Sequence, residues 1–133
     1  MSLVDASSIF EALRSLNLKP LENAYTLDLA RYELGNAIHK QGSILHTLNW
    51  EESRELMLQA NKLISILTVV DVSGRLVEVL DLAKQVKATF YDASYLYTAK
   101  RMNLTLLTED MRMAANARTI GVETRMLARN PDG

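Results

Sequence analysis

Cysteine is absent from all 133 residues. That excludes disulfides, thiolate metal ligands and a cysteine nucleophile. Histidine is scarce: His39 and His46 are the only two. Neither has a second histidine at metal-ligand spacing, so no zinc site is expected. No apolar run reaches the length of a membrane span, and the longest, Leu63 to Val72, is broken by Ser65, Thr68 and Asp71. The first residues show no basic stretch leading into an apolar core, so no secretory signal is expected. Internal repeats, low-complexity tracts and linkers are also missing. The net charge of −1 lacks the positive excess that non-specific nucleic-acid binding draws on. A single domain over residues 1–133 is expected, cytoplasmic and without a membrane-bound part.

Hydrophobic residues make up 48% of the chain and charged residues 23%, ordinary for a globular domain with a substantial core. Leu3-Val4 reads as a first strand, short but apolar, followed by a turn and a helix with Ile9, Phe10 and Leu13 inside. Pro20 closes that segment. Ala24-Tyr25-Thr26 predicts a second strand, and residues 28–41 a helix interrupted by the turn-like pair Gly35-Asn36. Asn49 caps a further helix, with Glu52 completing a capping box. Ile66 to Val70 reads as a fully buried strand, and Leu76, Val79, Leu80, Ala83 and Val86 mark another amphipathic helix.

The stretch from Tyr91 to Asp110 is the most informative. A helix beginning at Asp92 turns at Met102-Asn103 into the strand Thr105-Leu106-Leu107. A helix follows from about Met111 to Arg118, then Gly121 as a stop and Val122-Glu123-Thr124 as a last strand. The order β-α-β-α-α-β-α-α-β-α-β predicts an α/β fold: a three-layer α/β/α sandwich around a parallel sheet of about five strands.

In such sheets, function gathers at the carboxyl ends of the strands. Asp5 and Asp110 follow strands, Asp92 opens a helix, and Glu33 faces inward from another. Asn36 lies on Glu33's side at spacing i, i+3, with Gly35 allowing close approach to the same spot. Singly, each acid has an ordinary reading. Asp5 and Asp92 suit helix caps, Asp110 a first helical turn, and Glu33 a surface ion pair. Together at one sheet edge, four carboxyls cannot all stay ionised without a cation. Hard oxygen ligands suit Mg²⁺ or Mn²⁺, and such an ion serves hydrolytic phosphoryl transfer.

The chain resembles the PIN-domain ribonucleases, most closely the toxin subunits of VapBC toxin–antitoxin pairs. The resemblance covers nearly the whole chain in four blocks. They are Val4-Asp5-Ala6-Ser7, Leu29 to Ala37 with Glu33 and Asn36, Tyr91-Asp92-Ala93-Ser94-Tyr95, and Leu106 to Asp110 with Thr108. Each block is weak alone; four in order are specific. The resemblance implies a Mg²⁺- or Mn²⁺-dependent endonuclease acting on single-stranded RNA, inhibited by a small antitoxin. It assigns Asp5, Asp92 and Asp110 to the metal. Glu33 joins them directly or through water and helps deprotonate the attacking water. Ser7, Asn36 and Thr108 are supporting polar groups. Homodimers are also implied, with operator DNA bound only through the antitoxin.

Between Arg112 and Arg129 four arginines stand against one acid, Glu123. Arg112, Arg118 and Arg125 are candidates for the RNA backbone. Tyr91, Tyr95 and Tyr97 could stack on bases, though in a helix packed on a sheet such residues more often serve the core or a dimer contact. The methionines after the first read as gap-filling core residues. Apolar surfaces near residues 50–65 and 91–102 are where a dimer contact is expected. Three other functions fit the same features: an RNA-processing nuclease outside a toxin pair, an inactive interaction module of the same fold, and an aspartyl-phosphate phosphatase. The last expects a second aspartate two residues after Asp5, where Ser7 stands.

Overall fold

Alternation within very short strands sets the layers. In the strand Ser2–Val4 (β1), Leu3 and Val4 are both wholly buried but join different clusters on opposite faces, as successive strand residues must. Leu106 and Leu107 of Thr105–Leu107 (β4) repeat the pattern. The structure is a computed structural model that describes residues 1–127, so Arg129 lies outside the described residues. Three further strands are Tyr25–Leu27 (β2), Thr68–Val70 (β3) and Thr124–Arg125 (β5). All pairings are parallel, in the order β3-β2-β1-β4-β5.

Parallel neighbours require crossovers, which helices provide. These are Ala6–Ser15 (α1), Leu29–His39 (α2), Trp50–Ile66 (α3), Leu76–Val86 (α4), Phe90–Met102 (α5) and Met111–Thr119 (α6). The sequence of helices and strands is the one expected. α1, α2 and α3 bury Ile9, Leu34, Leu63 and Ile64 with Val4 and Leu107 on one face. α5 and α6 bury Tyr95, Leu96, Met113 and Ala117 with Leu3 and Leu106 on the other, and α4 packs outside α5 through Val79, Ala83 and Ala93. The layered α/β/α sandwich is therefore present.

The helix ends follow local chemistry. α3 begins with the expected capping box: Asn49 accepts from Glu52 N–H at 2.8 Å, and Glu52 accepts from Asn49 N–H at 3.0 Å. α5 ends at Asn103, whose φ of 55° is left-handed, a conformation asparagine tolerates. Gly121 (φ 78°) ends the α6 segment as expected.

Four expectations need correction. Ile66 ends α3 rather than opening β3, and β3 is an edge strand with Thr68 and Val69 exposed, because no described strand pairs with its outer side. Leu76 and Leu80 of α4 are also exposed, since the helix packs inward through Val79 and Ala83, with Leu82 and Val86 partly covered. Met111 lies at an exposed helix start instead of filling a core gap. Gly35 is mid-helix, and a Cβ there would meet only Met57 Sδ at 3.9 Å, so no close approach demands glycine. α2 runs through Gly35 and Asn36 unbroken and continues as a π-helical turn, Lys40–Ile44. His39 and His46 are exposed. No described helix is long and apolar enough to cross a membrane.

Candidate active site

β1 and β4 are adjacent, with Val4 opposite Leu107. The next residues, Asp5 and Thr108, therefore leave the sheet together at its carboxyl edge. Asp5 caps α1 by accepting from Ser8 N–H at 3.0 Å. The same carboxylate accepts from Ser7 Oγ at 2.7 Å and from Thr108 Oγ1 at 2.5 Å. Thr108 Oγ1 in turn accepts from Asp110 N–H at 3.0 Å, and Ser7 Oγ accepts from Glu109 N–H at 2.9 Å. The turn after β4 is thus tied to the turn after β1 through two hydroxyls. Asp110 closes the turn as the cap of α6, accepting from Arg112 and Met113 N–H. The cap reading of Asp5 is correct, whereas Asp110, expected in the first turn, is itself the cap; both residues belong to the cluster as well.

Asp92 is not the cap of α5: the helix starts at Phe90, two residues earlier than expected, Thr89 caps it by accepting from Asp92 N–H, and Asp92 lies in the first turn. Its position is electrostatically favourable near the helix N-terminus. Glu33, on the second turn of α2, is half-buried and accepts from the hydroxyl of Tyr95 at 2.8 Å. Asn36 is exposed one turn further along.

The four acids feel one another. Burial raises the pKa of Asp5 above the ordinary carboxylate value, partly offset by bonds from Thr108, Ser7 and Ser8, and Asp110 raises it further. Burial likewise raises Glu33; the Tyr95 bond opposes this, and the charges of Asp5 and Asp92 add to it. Asp92 is raised by burial and then by Asp110, against a lowering by Arg112. Four elements therefore bring the four predicted acids into one mutually repelling group. A cation is what relieves such repulsion.

The donor set suits a hard divalent ion: it is all oxygen, and the described protein offers no thiolate. As the side chains stand, no three histidine, aspartate or glutamate groups among the described residues form a ready-made ligand set. Asp5 uses both oxygens on Ser7, Ser8 and Thr108. Holding one ion requires the acid side chains to close on it.

The basic candidates divide. Arg112 is close enough to Asp92 to favour its charge. Arg125 ends β5 at the same sheet edge, its carbonyl accepting from Thr108 N–H at 3.1 Å. Arg118 lies six residues along α6 from Arg112, roughly 9 Å down the axis and away from the acids. All three side chains are exposed. Among the tyrosines, Tyr91 is exposed, Tyr97 is half-buried and Tyr95 is wholly buried. The contact of Tyr95 with Glu33 was missed from sequence. The available signal was a hydroxyl three residues after Asp92, on the same helix side, in a segment otherwise packed as core.

A parallel 3-2-1-4-5 sheet with acids gathered at its carboxyl edge is the arrangement of a PIN domain, and the chain belongs to that family: the PIN domain model matches residues 2–119. Within the family it is of the VapC type. It is 36% identical over 129 residues to a protein from Pyrobaculum aerophilum named exonuclease VapC9, covering 94% of this chain and 92% of that one. The crystal structure of PAE2754 from the same organism is similar with a TM-score of 0.76 and 32% identity, covering 92% of this chain and 89% of that chain.

Proposed function

We propose that this chain is a metal-dependent endoribonuclease that hydrolyses single-stranded RNA as the toxin of a toxin–antitoxin pair. One observation carries the reading. Asp5, Glu33, Asp92 and Asp110 arrive from four separate elements at one sheet edge, and three of them are held above their ordinary pKa. In this reading Asp5, Asp92 and Asp110 hold Mg²⁺ or Mn²⁺, and Glu33 joins them directly or through water. The bound ion supplies charge that steadies a phosphodiester in its transition state and acidifies a water. Glu33 would be the group that accepts the proton of an attacking water. Ser7 and Thr108 orient Asp5 and Asp110, and Asn36 offers an amide beside Glu33. Arg112 and Arg125 meet the RNA backbone next to the acids, with Arg118 further along the same strand of RNA.

A small antitoxin is the proposed inhibitor, and operator DNA is bound only through it. A cleft of about 1130 Å³ between α1 and α3 opens beside Ser7 and is lined by Phe10, Leu48 and Leu56. Glu51, Glu52, Glu55 and Glu109 also line it, while Glu11 is paired with Arg14; the acidic excess suits a basic, partly apolar segment of such a partner. A homodimer is proposed through exposed apolar residues, Trp50 and Leu58 of α3 and Tyr91 of α5. A single functional unit over 1–133 and a cytoplasmic location belong to the same proposal.

The test is cleavage of linear and circular single-stranded RNA with Mn²⁺ or Mg²⁺, beside EDTA and Asp92→Asn. Metal-dependent cutting of the circle, lost in the variant, is expected. Cutting of linear RNA alone would replace the endonuclease by an exonuclease, the activity in the relative's name. No cleavage of either by the folded protein would favour an inactive interaction module.

A further inference from the structure

Glu33 sits in an unfavourable place for a lone carboxylate. It is half-buried and faces the charges of Asp5 and Asp92. Repulsion and hydration both favour swinging it outward to water. The Tyr95 hydroxyl opposes that motion, donating to Glu33 Oε1 at 2.8 Å.

The holder is itself fixed. The Tyr95 ring has no exposed surface and packs in the cluster of Leu3, Leu27, Leu96 and Leu106. A phenol is protonated at neutral pH, so this hydroxyl is a donor to the Glu33 carboxylate. Tyr95 also follows Asp92 by three residues on α5, on the same helix side. One helix face thus delivers a carboxylate and, one turn later, the donor that holds a second carboxylate on another helix. The bond joins α5, packed on one face of the sheet, to α2, packed mainly on the other.

We propose that Tyr95 is a positioning residue for the divalent-cation site, holding Glu33 Oε1 so that Glu33 stays turned towards Asp5 and Asp92. The proposal rests on the reading of these acids as a metal site. Residues that orient metal-binding carboxylates typically change metal affinity about 10–100-fold when removed.

The experiment is a Mn²⁺ titration of the full chain, with free Mn²⁺ read by electron paramagnetic resonance. The proteins are wild type, Tyr95→Phe, Glu33→Ala and the double variant. Tyr95→Phe keeps the ring and its packing, and a thermal melt in EDTA checks the fold. The expected result is Mn²⁺ binding at least tenfold weaker in Tyr95→Phe, with no further loss when Tyr95→Phe is added to Glu33→Ala. Unchanged binding in Tyr95→Phe would overturn the proposal while leaving the metal site intact. An equal loss in both backgrounds would overturn it too, since the hydroxyl would then act without Glu33. Absence of Mn²⁺ binding by the wild type would overturn the metal site and this role together.

Discussion

Thr108 carries more of the site than its size suggests. One hydroxyl donates to Asp5 and accepts from the Asp110 N–H, and it is wholly buried. Thr108→Val keeps the shape but leaves a buried carboxylate oxygen and an amide without that partner. The expected loss is about 1–3 kcal/mol in urea unfolding. Ser7→Ala also removes two bonds, to Asp5 and from Glu109 N–H, but should cost less, because Asp5 Oδ1 keeps its bond from Ser8 N–H and Ser7 is only part-buried. A larger loss for Ser7→Ala would contradict this ranking. Asp92 poses the opposite case: its charge is disfavoured in the fold by burial and by Asp110. Asp92→Asn in EDTA should therefore melt higher, by about 1–3 °C, the size of a few tenths of a kcal/mol in a domain this large. A lower melting temperature would mean that the carboxylate is stabilising without metal.

Among the elements, α2 holds a residue chosen neither for turn nor for contact. Gly35 has room for a Cβ, with Met57 Sδ at an ordinary 3.9 Å. Gly35→Ala should stabilise the fold by about 0.5–1 kcal/mol through helix propensity alone, measured by thermal melting. Element order and caps were legible because they depend on nearby residues: Asn49 with Glu52, Asn103 at a turn, apolar pairs such as Leu106-Leu107 between helices. Exposure was less legible. Whether Val69 or Leu80 is covered depends on which strand or helix lies alongside, and nothing within a few residues of either reports that β3 is an edge or that α4 is an outer helix. The four acids were legible as a group since each follows a strand or lies on a helix feeding the same edge. Tyr95 was not, because its partner Glu33 is 62 positions away.

For the whole molecule, the acid group sets a pH dependence. Asp5, Glu33 and Asp92 have folded-state pKa values above their ordinary ones. As pH rises above the ordinary value, the unfolded chain releases these protons first, so the folded state binds more protons. Stability without metal should then fall as pH rises through the raised values, and melts in EDTA should be higher near pH 5 than near pH 8. Saturating Mg²⁺ or Mn²⁺ should raise the pH 8 melt most, because it binds the ionised form. A melt that rises with pH in EDTA would rule out this repulsive group. The strand order has a separate outcome during synthesis. Asp5 meets Thr108 across 103 positions, and β1 lies between β2 and β4 in the sheet. At about 5–20 residues per second, a ribosome needs roughly 5–20 s to deliver that partner. A truncated or stalled product lacking β4 carries the first acid without the pocket it belongs to. The group of Asp5, Glu33, Asp92 and Asp110 is complete only once the chain has been made as far as Asp110.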